Sequence, residues 1–179
     1  MANVQLYIAQ SLDGFIADSG GGVEWLERFN AEEDYGYEDF MAGVGAVVMG
    51  ATTYEQALSW DIPWPYHAVP SWILTHRRLA TPQGADVRVA EGPVGLVMSE
   101  IEEVVDGNVW LVGGASLVRQ FLEARLIDEL MLFVVPVTLG EGIPLFQNVP
   151  ATDLQLAGTR EFKTGLVELR YVTSHESRL

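Results

Sequence analysis

Residues 109–122 read Val-Trp-Leu-Val-Gly-Gly-Ala-Ser-Leu-Val-Arg-Gln-Phe-Leu, and this stretch decides the class of fold. Its first four residues are a continuous apolar run, which suits a strand buried on both faces of a mainly parallel sheet. Leu117 to Leu126 then reads as a helix. The turn between them is Gly113-Gly114-Ala115-Ser116. Glycines let a backbone approach a ligand closely, and the first free amides of the helix, at Ser116 to Val118, form with its dipole a site for an anion such as pyrophosphate. A tight strand-to-helix turn without a ligand accounts equally for the pair, which is not the three-glycine dinucleotide fingerprint.

Outward from this stretch the same strand type recurs at Gly45–Gly50, Trp72–Thr75 and Gly95–Met98, with helix candidates at Tyr54–Leu58 and Glu100–Val105. Alternation of this sort predicts an α/β sheet with crossover helices. At the N-terminus Val4, Leu6 and Ile8 alternate with Asn3, Gln5 and Tyr7, a strand that ends at the turn set Ser11-Leu12-Asp13-Gly14. The acidic stretch from residue 31 to 43 carries Tyr37, Phe40, Met41 and, just beyond it, Val44 at helical spacing, which predicts one helix before the next strand. Beyond residue 128, Glu129–Val135, Leu154–Phe162 and Leu166–Val172 read as strands, the last two joined by a Lys163-Thr164-Gly165 hairpin turn. The expected architecture is a three-layer α/β fold: a mixed, mostly parallel sheet with an antiparallel C-terminal edge and flanking helices, one domain over 1–179. Pro63–Pro70 reads as a surface loop.

A chain of 179 residues can bury roughly 70% of its unfolded surface without disulfides or metals. Absence of cysteine removes disulfide frameworks, thiolate zinc sites and thiol nucleophiles. The net charge of −15 opposes binding to nucleic acid or to anionic membranes. The first residues lack a basic segment followed by an apolar one, and no apolar run is long enough to span a bilayer, so a soluble, cytoplasmic protein is expected. Lys163, the only lysine, has no Walker-loop context. His67, His76 and His175 are too scattered for a paired metal-ligand motif, so no metal is expected.

Two further turns follow apolar strands. Gly50-Ala51-Thr52-Thr53 could meet a second phosphate or simply cap the next helix through Thr52 or Thr53. Thr75-His76-Arg77-Arg78 sets adjacent arginines in an acidic chain, as either a local anion site or solvated surface. The segments YIAQSLDGFIAD (7–18), AVVMGATTYE (46–55), WILTHRR (72–78), WLVGGASLVRQFL (110–122) and IDELMLFVVPVTLGEGIPLF (127–146), in that order, resemble the dihydrofolate-reductase-like superfamily, in its riboflavin-biosynthesis reductase-domain branch.

That resemblance implies NADPH-dependent hydride transfer to a small-molecule nitrogen heterocycle, of the 5-amino-6-(5-phosphoribosylamino)uracil reductase type. It implies pyrophosphate contacts from Gly113, Gly114, Ala115 and Ser116, and phosphate contacts from Gly50, Thr52 and Thr53. Thr75, His76 and Arg77 would lie near the 2′-phosphate, and Ala9 near the nicotinamide. A pterin reductase and a non-catalytic nucleotide-binding protein on the same fold are the alternatives. Two positions depart from the pattern. Ala51 stands where many relatives have an arginine, so NADH is not set apart from NADPH, and Tyr7 stands where the riboflavin-pathway reductases carry a lysine, so a substrate phosphate loses a cation.

Hydride transfer to a carbon–nitrogen double bond leaves the nitrogen in need of a proton. Asp34 is the first candidate for its delivery, with Asp13 and Glu24 as rivals; the ordinary reading of Glu32, Glu33 and Asp34 is a solvated acidic helix start, favoured by the helix dipole. Trp25, Tyr54 and Phe40 are candidates to stack on a flat substrate ring, or to fill the core. The family resemblance also implies a homodimer, for which the apolar segment Leu130–Val137 could supply an interface strand or be buried in the core.

Overall fold

The computed structural model describes residues 2–29 and 33–174. Among them are ten strands: β1 (Val4–Ser11), β2 (Phe15–Ala17), β3 (Val44–Gly50), β4 (Ser71–Leu74), β5 (Val87–Ala90), β6 (Asn108–Gly113), β7 (Glu129–Val135), β8 (Ile143–Pro144), β9 (Leu154–Glu161) and β10 (Val167–Thr173). Helices are α1 (Tyr37–Met41), α2 (Ala51–Leu58), α3 (Val94–Val104) and α4 (Ala115–Glu123), with a 3-10 turn over Glu24–Phe29. The main sheet has the order β5-β4-β3-β6-β1-β7-β10-β9. The first six of these run parallel; β10 is antiparallel to β7, and β9 to β10. β2 and β8 form a separate two-stranded piece.

The central strands β3, β6 and β7 are buried on both faces, which is why they are so uniformly apolar, whereas the outer strand β9 is exposed. Along β3, Ala46 and Val48 join one core with Leu6, Leu111, Leu130 and the inner faces of α3 and α4. Val47 and Met49 point the other way, into a core with Tyr54, Ala57, Trp64, Tyr66 and Trp110. A third cluster, Met131, Phe133, Val135, Phe162 and Leu166, continues that second face toward the antiparallel edge. Period-two alternation thus delivers apolar side chains to two different layers. Gly45 marks a register shift between β3 and β6. A Cβ there would lie 2.1 Å from the Asp106 carbonyl oxygen, so the close approach requires glycine.

Several expectations are corrected. Gly95–Met98 is not a strand but the first part of α3. Its buried residues are Val94, Val97, Met98 and Ile101, the i, i+3, i+4, i+7 spacing of a helix packed on a sheet. Among the described residues of the acidic stretch 31–43 the helix covers Tyr37–Met41, and Val44 is not on it but opens β3, paired with β6; Ala31 and Glu32 lie outside the described residues, as does His175. Pro63–Pro70 is not wholly at the surface, because Trp64 and Tyr66 turn inward, Trp64 edge-on to Tyr54 and Tyr66, and Tyr66 edge-on to Trp110. Leu130–Val135 forms an interior strand paired on both sides, so β7 offers no free edge to a second copy.

Candidate functional site

One cavity of about 1380 Å³ opens along the carboxyl ends of β1, β3, β4, β5 and β6. Open parallel sheets place ligands at these ends because the loops there leave a crevice. Single small-molecule pockets span about 300–1,000 Å³, so this one has room for two ligands side by side. β1 contributes Tyr7, Ile8 and Ala9, and β6 contributes Trp110 and Val112. Ile16 and Ala17 of β2 and Ile143 of β8 add apolar wall, and the 3-10 turn adds Glu24, Leu26 and Glu27.

Two helices start in this cavity. α2 begins at Ala51 immediately after β3, with Gly50 as N-cap, and α4 begins at Ala115 with Gly114 as N-cap. Neither start carries a side-chain cap, so Thr52 and Thr53 do not cap α2; they are its second and third residues. The starts are adjacent. A Cβ on Gly50 would lie 4.0 Å from the Gly113 carbonyl oxygen, and one on Gly114 would lie 3.5 Å from Thr53 Oγ1. Gly113 has φ of +124°, a conformation that L side chains avoid, which accounts for glycine at the end of the strand. The amides of Leu117 and Val118 both return to the Gly114 carbonyl, so the donors free at α4 are those of Ala115 and Ser116, one residue earlier than expected. Uncapped amides and the positive ends of two helix dipoles thus face the cavity at neighbouring places, an arrangement that favours negative charge.

Ala9, Gly50, Thr52, Thr53, Thr75, His76, Gly114, Ala115 and Ser116 all line this cavity. Gly113 lies directly behind Gly114, buried. Arg77 is not part of the wall; its guanidinium is ion-paired with Glu55 on α2, and its amide donates to Thr75 Oγ1 at 3.1 Å. His76 Nδ1 stands 3.3 Å from Glu91 at the end of β5.

The expected acid and stacking residues are mostly elsewhere. Asp13 accepts from the Ser11 hydroxyl at 2.6 Å and from the amides of Leu139 and Gly140 at 3.1 and 2.8 Å, joining two loops. Those donors, the hydroxyl first, hold its carboxyl below the usual range. Asp34 accepts from the Glu38 amide at 3.3 Å and supports the start of α1. Tyr54 is fully buried and donates its hydroxyl to the Ala80 carbonyl at 2.6 Å, so it belongs to the core and not to a substrate face. Trp25 packs beside Met131 and Phe133. Phe40 stacks on Tyr7 with centroids 4.3 Å apart.

Of the carboxylates considered from sequence that lie among the described residues, Glu24 alone reaches the cavity wall; Glu27 and Glu91 join it there. Tyr7 lies in an aromatic cluster with Phe40, Trp110 and Phe133. Burial first, then the Glu168 and Asp34 carboxylates, push its phenol above the ordinary value, so it stays neutral at physiological pH. Among the described residues no group of acidic and histidine side chains is arranged to hold a metal, and no helix is long and apolar enough to cross a membrane.

A mostly parallel sheet with an antiparallel edge, carrying two uncapped helix starts at its ligand-binding end, is the dihydrofolate-reductase-like fold. Dihydrofolate reductase from Enterococcus faecalis, solved with NADP(H), superposes with a TM-score of 0.68 at 16% identity, over 97% of each chain. Residues 64–168 match the RibD C-terminal domain family, and the chain belongs to that family. The protein YwjB of Bacillus subtilis (strain 168) is 37% identical over 168 residues, 93% of this chain and 95% of that one. A protein of Shewanella sp. PV-4 assigned to riboflavin biosynthesis is 29% identical, with a TM-score of 0.85 over 98% of this chain and all of the other.

Proposed function

We propose that the chain is a nicotinamide-dependent reductase that reduces a carbon–nitrogen double bond, or a related group, in a nitrogen heterocycle, in the manner of the riboflavin-pathway reductases. The observation that carries this reading is the pair of uncapped helix starts, α2 and α4, side by side in one cavity with room for a second ligand. Their donor set fits a dinucleotide. Ala115 and Ser116, with Thr52 and Thr53, would hold the pyrophosphate region, Thr75 and His76 the adenosine end, and Ala9 the nicotinamide end. NADPH is the expected cofactor, with NADH admitted because Ala51 supplies no cation for a 2′-phosphate.

When bound, the reduced nicotinamide supplies a hydride to the substrate carbon. The chain's own part is to orient, to exclude water and to deliver a proton. Ile8, Ile16, Ala17 and Ile143 wall the cavity with apolar surface, which strengthens polar interactions inside it. Tyr7 and the largely buried Trp110 are aromatic residues of the wall, beside which a flat ring would pack. Glu24 is the carboxyl group of this wall that replaces Asp34 and Asp13 as the proton-delivering candidate: the substrate nitrogen gains a proton as its neighbouring carbon gains hydride. The chain would act as a homodimer, for which the outer strand β9, exposing Leu154 and Leu156, offers an apolar edge.

The test is loss of reduced-nicotinamide absorbance on addition of aminopyrimidine and pterin acceptors, with Glu24→Gln in parallel. The expected result is turnover by the native chain and a fall in kcat of roughly 100-fold or more in the variant, with nucleotide affinity unchanged. Nucleotide binding without turnover of any acceptor favours the non-catalytic alternative.

A further inference from the structure

The charged groups that face the cavity are unevenly distributed. Among the described residues lining it, Glu24, Glu27 and Glu91 are carboxylates, His76 is the single imidazole, and no Lys or Arg is present. Glu91 pairs with His76 where β4 and β5 end, which assigns both to the adenosine end of the proposed nucleotide site. Glu24 and Glu27 belong to the other end. The 3-10 turn that carries them packs through Leu26 against the cluster of Met131 and Phe133, the cluster against which Tyr7 also packs. That end of the cavity therefore combines aromatic surface from Tyr7 and Trp110 with two carboxylates. Tyr7 itself brings a phenol that burial keeps neutral.

We infer that the ring-binding end of the cavity selects a neutral or cationic amino-heterocycle without a phosphate, and that Glu27 is a specificity-determining residue in that choice. This rests on the reading of the cavity as a nicotinamide-cofactor site. Exocyclic amino groups are donors, and carboxylates at the rim are acceptors for them. A phosphate dianion brought to the same place meets like charge at Glu24 and Glu27, in a chain whose net charge is already −15. Both helix starts, which could have offset that repulsion, are assigned to the cofactor's own phosphates. Glu27 is exposed, so salt screens the effect, and it is expected to be largest at low ionic strength.

The experiment uses a matched pair of probes, a 2,4-diaminopyrimidine bearing a 6-(3-hydroxypropyl) arm and the phosphate ester of the same compound. Each is titrated into the chain, alone and in the presence of NADPH, with quenching of tryptophan emission as the signal, since Trp60 and Trp110 line the cavity. The alcohol is expected to bind about tenfold more tightly than the ester at low salt, and the gap to narrow about threefold or more in Glu27→Lys. Equal or tighter binding of the ester by the native chain, a gap that Glu27→Lys leaves intact, or binding of neither probe overturns the inference. NADPH and NADH are titrated separately without probe. Failure of both to bind overturns the cofactor reading, whereas the preference between the two probes is decided by their own affinities.

Discussion

Replacing Ser116 by aspartate separates two effects that the site ties together. Ser116 is exposed, is the second residue of α4 and lines the cavity, so a carboxylate there would occupy the place proposed for pyrophosphate. In the ligand-free protein that carboxylate meets the free amides and positive end of α4, a gain of about 0.3–1 kcal/mol, which raises Tm by roughly 1–4 °C for a chain of this size. Toward a bound nucleotide the sign reverses. A unit charge about 5 Å from a phosphate, at an effective dielectric near ~20, costs about 3 kcal/mol, or roughly 100-fold in Kd. Ser116→Asn, nearly isosteric and uncharged, controls for shape. Thermal unfolding without ligand and calorimetric titration with NADPH and NADH read the two effects on the same samples. An aspartate variant that binds nucleotide as tightly as the asparagine variant would refute the assignment of this helix start to an anion.

Gly45→Ala is expected to be the most damaging small substitution in the sheet, because its Cβ would meet a backbone oxygen at 2.1 Å with no side chain free to yield. Unfolding in urea should show a loss of about 3 kcal/mol or more, and a loss within error of zero contradicts the packing described. Asp13→Asn should lower Tm near neutral pH, with the difference from the native chain closing on acidification. The Asp13 carboxyl is held below its unfolded value by Ser11 and two loop amides, so its contribution is present above about pH 4 and is lost as pH falls through the folded pKa; a difference constant with pH argues against that role. Arg77 stands just outside the wall, next to His76, so it would act on a 2′-phosphate only at a distance: Arg77→Ala should reduce preference for NADPH over NADH, and salt should screen the effect. Glu55→Gln, which releases Arg77 from its ion pair, should raise that preference, and comparison of the two Kd values checks both.

Much of the fold was legible because parallel strands buried on both faces announce themselves as short continuous apolar runs. β3 and β6 are of this kind, and Ala46 to Met49 are fully buried. The same feature misled at Gly95–Met98: over four residues an apolar run has no measurable period, and the helical spacing emerges only when Ile101 is included. β5 escaped notice because it is only four residues long and contains Arg88, whose guanidinium lies over the Trp72 ring at 4.6 Å. With β5 unseen, Glu91 and Gly92 had no strand end to mark them as cavity residues.

The glycine turns of the site were legible for a local reason, since strand, turn and helix are contiguous in sequence. Convergence of Glu24, Glu27, Tyr7 and Trp110 was not, because it depends on the order β3-β6-β1-β7, which places distant segments side by side. Asp13 and Asp34 show the limit of choosing an acid from its position. Each sits near a strand end or a helix start, and each is engaged there by backbone amides. Tyr54 directly follows a phosphate-type turn, yet helical geometry turns its ring into the core.

The most direct test of the account is calorimetric titration of the purified chain with NADPH and, in parallel, NADH. The account predicts saturable binding of at least one of them, one nucleotide per chain, weakened roughly 100-fold by Ser116→Asp. Absence of saturable heat for both nucleotides up to millimolar concentration would contradict it, leaving the two uncapped helix starts without the ligand assigned to them.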